Sequence, residues 1–256
     1  MNSLQRVGLD ALRIDDERAF SHIGLYSELK QVLQKTQQEF LIPAPGTTLS
    51  WDRVAFLNLT YWNVGSATDV LCESRIPADV VAHIAWHRLA ATNLHGDAAP
   101  TAHAMLFGEA IASAFDLYLI GRMVNHVPDA EFVETQIPIM AEAAAEAGGD
   151  EAAFTSLIEA VAEDPERAFE DLRALLFDGA RQLLTCTTPE AAQAVFESFA
   201  GHRFGCLLHH YQLSNWLLHA RAHAAHDEAI DTAVADVDAQ LRAAPVSLNW
   251  LAEHWL

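Results

Sequence analysis

The sequence predicts an all-α protein, a compact multi-helix domain in which two central helices are buried. Apolar residues recur at the spacing of helical turns through most of the 256 residues, with little of the alternation that strands show. Proline and glycine interrupt this pattern between successive helical segments. Two of the segments are apolar on nearly every side, which is typical of helices enclosed by other helices.

The N-terminal part of the chain is predicted to contain two helices. Residues 15–41 have the pattern of one long amphipathic helix, which ends at Pro43 and Gly46. A second helix is expected over 51–62, where the Ser50 side chain can accept a hydrogen bond from the first free backbone N–H groups.

The two buried helices are predicted in the middle of the chain. Pro77 stands at the first position of a helix that continues to Gly96, where its missing N–H costs no helical hydrogen bond. The next helix covers roughly 101–120. Both segments are unusually apolar for their length, so we expect other helices to surround them.

The segment 129–171 is strongly acidic. It has thirteen acidic residues and one basic residue, Arg167, which gives a net charge of −12 over 43 positions. A solvated outer helical layer, divided by Gly148 and Gly149, is the preferred interpretation, and an acidic docking face is the alternative.

Helices are predicted in the rest of the chain at 165–186, 188–199, 203–224 and 228–243. Pro245 then precedes a short tryptophan-rich end. Because no repeat or low-complexity linker is visible, residues 1–256 are predicted to form a single helical domain.

The overall charge limits the classes of partner. The formal charge of −20 argues against nucleic acid and against an anionic membrane surface, since both require a basic surface. A basic protein partner or a second copy of the chain stays open. The three cysteines, Cys72, Cys186 and Cys206, lie at unrelated spacings, so no disulfide framework and no thiolate zinc site is expected. The start of the chain has no apolar signal region, which predicts a cytoplasmic protein.

Two histidines on the first buried helix have the spacing of metal ligands. His83 and His87 are four residues apart, so their imidazoles share one face of the helix and can bind one metal ion. Asp79, one turn earlier, is predicted to hydrogen-bond the second ring nitrogen of His83 as an outer-shell partner. Core histidines without a metal are the alternative.

The second buried helix carries two acidic residues. Between Ala104 and Ile120 the only charged side chains are Glu109 and Asp116, two turns apart on the same face. Burying an unpaired carboxylate is costly, so a metal, a histidine, an arginine or protonation must compensate it. Histidines and a metal are the simplest partners, and an acidic stripe facing water is the alternative.

These two segments resemble the gluzincin metallopeptidases over about forty residues. HIAWH supplies His83 and His87, and GEAIASAFD, which is similar to the third-ligand helix of that family, supplies Glu109. The resemblance implies metal-binding roles for these three residues and favours zinc. It implies no peptidase activity, because Ile84 occupies the position of the family's general-base glutamate.

The C-terminal part of the chain is rich in histidine. A helical projection over 203–224 directs His209 toward the apolar face, where it could be a ligand, a proton donor or a base. The roles of the other histidines in this part of the chain stay open: His202, His210, His219, His223 and His226.

Taken together, these residues predict a metal-dependent helical enzyme with a two-histidine, one-carboxylate site for Zn²⁺ or non-haem Fe²⁺. Asp116 and His209 are the candidate catalytic residues, and Glu73 is a further candidate base. A small substrate is expected among aromatic side chains, namely Trp86, Phe107 and Trp216.

Four other functions stay open. The first is a non-catalytic interaction protein whose acidic segment docks a basic partner. The second is a degenerate metallopeptidase-like scaffold that keeps a metal for stability. A di-iron oxygenase-like protein is the third, although no Glu-x-x-His pair is found on the inward faces. The fourth is haem ligation by an inward histidine, for which a helical pocket would suffice.

Overall fold

Eleven α-helices make up most of the chain that the structure describes. The structure is a computed structural model that describes residues 4–44, 69–71, 73–225 and 231–256. Within those ranges the helices are α1 (Glu17–Phe20), α2 (Gly24–Lys35), α3 (Ala78–Leu94), α4 (Ala102–Met123), α5 (Glu131–Glu146), α6 (Glu151–Glu163), α7 (Pro165–Leu184), α8 (Pro189–Ser198), α9 (Leu213–His223), α10 (Thr232–Ala243) and α11 (Ser247–Trp255). The all-α prediction is confirmed.

Helix α4 is the central helix of the fold. It packs most extensively against α7 and α3, and it also contacts α6 and α9. Thr101 caps its start by accepting a hydrogen bond from the backbone N–H of Ala104 at 3.0 Å. The helix is long and apolar enough to cross a membrane, yet 94% of its most apolar window is buried inside the protein. That burial is the pattern of a core helix.

Helix α3 is the second buried helix. Pro77, in an extended conformation, immediately precedes it. Its buried side chains, among them Val81, Ile84, Trp86 and Leu89, occupy most of its circumference. The prediction of two central buried helices is therefore confirmed, with boundaries close to those expected.

Five short strands form two small sheets within the described residues. They are β1 (Leu4–Gly8), β2 (Arg13–Asp15), β3 (Glu39–Pro43), β4 (Asp69–Val70) and β5 (Arg75–Pro77). In the first sheet β3 lies between β1, which is antiparallel to it, and β4, which is parallel to it. In the second sheet β2 and β5 are parallel, with Ile14 opposite Ile76. Since β5 ends at the residue before α3, this pairing determines where the helix begins.

The predicted helix over 15–41 is wrong. Only α1 and α2 are helical there, and Asp16 has a φ of 58°, which interrupts the chain before α1. After α2, Phe40 and Ile42 are buried and alternate with more exposed residues, which is the period of a strand. The partner strand β1 supplies the backbone hydrogen bonds that a helix would otherwise make internally.

The predicted helix over 203–224 is wrong in its first half. Gly205–Leu207 form one 3₁₀ turn, and further turns follow. Gln212 has a φ of 48° immediately before α9, so the regular helix begins only at Leu213. A helical projection is therefore not valid for the residues before Leu213.

The other predicted helices agree with the structure. The segments 165–186 and 188–199 correspond to α7 and α8, and 228–243 corresponds to α10 where it is described. Gly148, with a φ of 87°, separates α5 from α6 as expected. Three predictions lie outside the described residues: the helix over 51–62, Cys72 and His226.

The acidic segment forms an outer layer. Helices α5 and α6 bury one apolar side each, including Phe132, Met140, Phe154 and Ile158. All acidic side chains of these two helices are exposed: Glu131, Glu134, Glu142, Glu146, Glu151, Glu159 and Glu163. This arrangement fits the preferred interpretation, a solvated outer layer.

Gly121 allows α4 to approach α6 and α7 at backbone distance. A Cβ added at Gly121 would lie 2.7 Å from the Val161 carbonyl oxygen and 2.9 Å from Pro165 Cβ. We expect Gly121→Ala to lower the free energy of unfolding by about 1–3 kcal/mol, because the neighbouring backbone must move. Urea denaturation measures this change.

The matched control is Gly24→Ala, at the first residue of α2. A Cβ added there meets nothing within 4 Å. This variant is expected to be neutral or to gain up to about 1 kcal/mol from helix propensity. Equal stability of the two variants would show that the close packing at Gly121 is not needed.

Candidate metal centre

Helices α3 and α4 bring three predicted ligands together. One ligand atom from each of His83, His87 and Glu109 lies within 4.8 Å of the other two. The side chains are 19%, 10% and 8% exposed, respectively, so the group is largely enclosed by protein. Two imidazole nitrogens and a carboxylate are ligands that both Zn²⁺ and Fe²⁺ accept.

Glu109 lies between the two imidazoles. Its Oε2 is 2.9 Å from His87 Nε2, and its Oε1 is 3.8 Å from His83 Nε2. Burial raises the pKa of this carboxyl group, but His87, His83 and His219 outweigh the burial and lower the pKa overall. Glu109 is therefore the ionised carboxylate that a metal ion requires.

His83 is held from its other ring nitrogen by Asp116. His83 Nδ1 lies 3.0 Å from Asp116 Oδ2, while Nε2 faces Glu109. Burial lowers the pKa of His83, but Asp116, Glu109 and Asp79 together raise it to about 9. A carboxylate on the far nitrogen fixes the orientation and tautomer of a metal-ligating histidine.

The sequence predicted Asp79 as the hydrogen-bond partner of the second ring nitrogen of His83. In the structure that partner is Asp116, at 3.0 Å. Asp79 precedes His83 by one turn on the same helix, whereas Asp116 approaches from α4 and faces the imidazole directly. Burial and the Asp116 charge raise the pKa of Asp79 to about 6. Asp116 Oδ1 is buried and has no hydrogen-bond partner among the described residues.

Close packing of α3 and α4 brings the ligands into range. A Cβ added at Gly108 would lie 3.0 Å from Ala90 Cβ and 3.9 Å from His87 Nδ1. Because residues 108 and 90 are small, the two helices pack closely here. This close packing allows His87 on α3 to contact Glu109 on α4. The ring centroids of His83 and His87 are 4.9 Å apart.

His209 does not point into the centre, so this prediction is wrong. It is exposed and stacks on Phe196 at a centroid distance of 5.2 Å. The error follows from the irregular backbone before Leu213, which a helical projection cannot describe. The structure gives His209 no contact with the three ligands that would support a catalytic role.

The other C-terminal histidines differ in their positions. His202 is half-buried, and its Nδ1 accepts a hydrogen bond from the backbone N–H of Phe204 at 3.2 Å. His210 is half-buried and packs edge-on against Tyr211. His219 is half-buried and pairs with the exposed His223. Of these residues, His219 is the one that acts on the charge of Glu109.

The predicted aromatic substrate contacts are core residues. Trp86 packs edge-on against Phe115 at 5.4 Å, Phe107 packs likewise against Phe177 at 4.9 Å, and Trp216 is 5% exposed. These rings are buried in the interior, and their contact with a substrate stays a prediction.

A cavity of about 260 Å³ is lined in part by Asp79. Phe132, Glu131 and Glu73 also line it. Glu73 is exposed and pairs with Arg75 at 2.6 Å, so no contact with the three ligands supports it as the base at the centre. This volume lies just below the range of about 300–1,000 Å³ that is typical of small-molecule pockets.

Asp116→Asn tests the carboxylate behind His83. Since outer-shell partners of metal-ligating histidines contribute about 10–100-fold to affinity, we expect Zn²⁺ binding to weaken by that factor. Competition against a chromophoric chelator measures the affinity. Asp97→Asn, which changes an exposed aspartate, is the control and should leave the affinity unchanged. Equal affinity of both variants would contradict the outer-shell role.

The fold and the centre define the class of molecule: an all-α protein with a buried group of two histidines and one carboxylate positioned to hold a metal ion. No family model matches the sequence, and no curated protein and no solved structure is detectably similar to it. The resemblance to gluzincin metallopeptidases therefore stays a prediction from the forty residues that carry it.

Proposed function

We propose that this protein is a metal-dependent enzyme that binds Zn²⁺ or Fe²⁺ at His83, His87 and Glu109 and acts on a small substrate. The observation that carries this proposal is the buried Glu109 carboxylate between two imidazoles, one of which is held from behind by Asp116. That combination of ligands and outer-shell carboxylate is typical of metal centres in enzymes.

The charge balance favours a cation over a simple core ion pair. Three carboxyl groups, those of Glu109, Asp116 and Asp79, act on the single imidazole of His83. His87 is a second imidazole beside Glu109, so three carboxyl groups face two imidazoles. The negative charge exceeds the positive charge even when both imidazoles are protonated. A divalent cation would compensate this excess, whereas one histidine would suffice for a structural ion pair with one carboxylate.

The ligand number favours chemistry at the metal. A structural zinc site has four protein ligands, whereas a catalytic zinc site has three and leaves a position for water or substrate. Helices α3 and α4 supply three ligands. The two-histidine, one-carboxylate set also serves non-haem iron enzymes with open positions.

The usual peptidase mechanism is not part of this proposal. Ile84, at the position of the gluzincin base, is 4% exposed and packs in the core. No carboxylate on α3 replaces the missing base between His83 and His87. The reaction is thus either a hydrolysis with another proton acceptor or, with iron, a redox reaction.

A scaffold that retains the metal for stability is the second candidate. Ile84 is the observation that favours it, because an apolar residue has replaced the catalytic group of the resembled family. Chelation would then lower the melting temperature while activity assays with every substrate class stayed negative.

Metal analysis of untagged protein tests the primary proposal. We expect a stoichiometric amount of zinc or iron in the wild-type protein and its loss in His83→Ala. His209→Ala, which changes an exposed histidine outside the ligand group, is the matched control and should retain the metal. A substoichiometric metal content that is the same in the wild type and in His83→Ala would overturn the proposal.

A further inference from the structure

Another cavity, of about 520 Å³, is lined by residues of α2, α4, α7 and α11. Its volume lies within the range of about 300–1,000 Å³ that is typical of small-molecule pockets. Helix α4 contributes Tyr118 and Arg122 to the wall. Arg122 follows Glu109 by thirteen residues, which is about 20 Å along the helix axis. The cavity is therefore separate from the candidate metal centre.

The hydroxyl group of Tyr118 makes no hydrogen bond within the ranges that the structure describes. Tyr118 is only 6% exposed, and its ring packs against Phe115 at a centroid distance of 5.2 Å. A tyrosine that is buried to this extent usually has a hydrogen-bond partner for its hydroxyl group. Because Tyr118 lines the cavity, a bound molecule can supply that partner.

The guanidinium group of Arg122 also has donors without a hydrogen bond to a described residue. Its ion pair with Glu166 joins Nη1 and Oε1 at 3.6 Å, which is too long for a hydrogen bond. The guanidinium carbon lies 6.0 Å from the centre of the Tyr118 ring. Arginine presents its five N–H donors in a planar fork that fits a carboxylate. The Arg122 guanidinium and the neighbouring tyrosine hydroxyl group thus suit a ligand carboxylate.

The rest of the wall combines negative charge with apolar side chains. Glu28 and Glu166 carry two negative charges against the one positive charge of Arg122. A ligand that is only an anion would therefore be repelled, and a ligand with a cationic group beside its carboxylate would be attracted to both signs of charge. Leu25 and Leu248 supply apolar surface for the body of the ligand.

We infer that this cavity binds an apolar α-amino acid in its zwitterionic form. The carboxylate of the ligand lies against Arg122 and the Tyr118 hydroxyl group, and its ammonium group lies against Glu166. An α-amino acid carries both charges on substituents of one carbon, and the cavity presents opposite charges 3.6 Å apart. The side chain of the ligand is buried against Leu25 and Leu248, which favours binding through the hydrophobic effect.

Isothermal titration calorimetry with L-leucine and two analogues tests the recognition of the zwitterion. The first analogue, 3-methylbutylamine, lacks the carboxylate, and the second, 4-methylpentanoate, lacks the ammonium group. We expect each analogue to bind at least about 10-fold more weakly than leucine, because a charged group of the cavity loses its hydrogen-bond partner. An analogue that binds as tightly as leucine would refute the zwitterion as the ligand.

Two variants test whether leucine binds in this cavity. We expect Arg122→Gln to weaken leucine binding by at least about 10-fold, and Tyr118→Phe, which removes one hydroxyl group, by about 3–10-fold. Arg6→Gln is the matched control, since Arg6 is an exposed arginine that also pairs with a glutamate, Glu39, and it should bind leucine as the wild type does. Circular dichroism verifies that all three variants are folded.

The result does not depend on the metal centre. The cavity shares no residue with the three predicted ligands, so leucine should bind equally well to the wild type, to the chelated wild type and to His83→Ala. If neither leucine nor L-phenylalanine binds at millimolar concentration, or if folded Arg122→Gln binds leucine as the wild type does, the amino-acid site is refuted while the metal centre stands. Leucine binding by a protein that binds no metal would support the amino-acid site and refute the metal centre alone.

Discussion

The double variant His87→Leu/Glu109→Leu is expected to be more stable than the wild type in the absence of metal, by about 1–4 kcal/mol. His87 Nε2 and Glu109 Oε2 lie 2.9 Å apart, and both side chains are largely buried. Removing both partners eliminates the desolvation cost of two polar groups and retains similar volume. Urea denaturation in the presence of a chelator measures the free energy of unfolding.

The single variants should behave in the opposite way. His87→Leu leaves the buried Glu109 carboxylate without its nearest partner, so we expect a loss of about 3 kcal/mol. Zn²⁺ should stabilise the wild type and have no effect on the double variant, because two of the three ligands are gone. If the chelated double variant were less stable than the chelated wild type, the pair would be part of the core and the metal interpretation would lose its physical basis.

Much of the helical fold could be predicted because its signals are local. Pro77 and Thr101 lie next to the first residues of the two buried helices, and the apolar pattern between such boundaries has a helical period. The strands β1 and β3 could not be found in this way. Each is five residues long, and their pairing joins residues about thirty positions apart, such as Val7 and Phe40, for which no local pattern exists.

The ligands of the candidate centre could be predicted for a similar reason. His83 and His87 share one helix, and Glu109 is one of two charged residues between Ala104 and Ile120. The identity of the outer-shell partner depends on how α3 crosses α4, which brings Asp116 to within 3.0 Å of His83. That crossing is a property of tertiary packing and is not visible in either helix alone. The exposed position of His209 likewise depends on turns that no helical projection describes.

Arg173 is expected to contribute more to stability than any other single ion-pairing residue described above. It is fully buried, it makes two hydrogen bonds to Glu170 at 2.6 and 2.9 Å, and Nη1 lies 2.9 Å from Asp238 on α10. Its guanidinium also lies over the Phe107 ring of α4 at 5.2 Å. Arg173→Ala leaves the partly buried Glu170 carboxylate without this partner, while Asp238 retains Arg242 at 3.0 Å. We expect a loss of about 3 kcal/mol.

Arg167→Ala is the control for Arg173→Ala. The Arg167 side chain is 69% exposed and pairs with Asp171 on the surface of the same helix. Such pairs contribute little, so this variant should change the stability by less than about 1 kcal/mol. Urea denaturation compares the two variants, and similar losses would show that the buried network has no special role.

The stabilisation by Zn²⁺ shows whether Arg173 and its partners Glu170 and Asp238 support only the fold or also the metal centre. Arg173 connects α7 and α10 and contacts α4 at Phe107, whereas the three predicted ligands lie on α3 and α4. Zn²⁺ at about 100 times its Kd should therefore return about 2.7 kcal/mol to Arg173→Ala, as it does to the wild type. Equal increments would show that the two sites act independently. A smaller stabilisation of Arg173→Ala by Zn²⁺ would show instead that Arg173 helps to hold Glu109 in position. The connection would run through Phe107, which precedes Glu109 by two residues in α4.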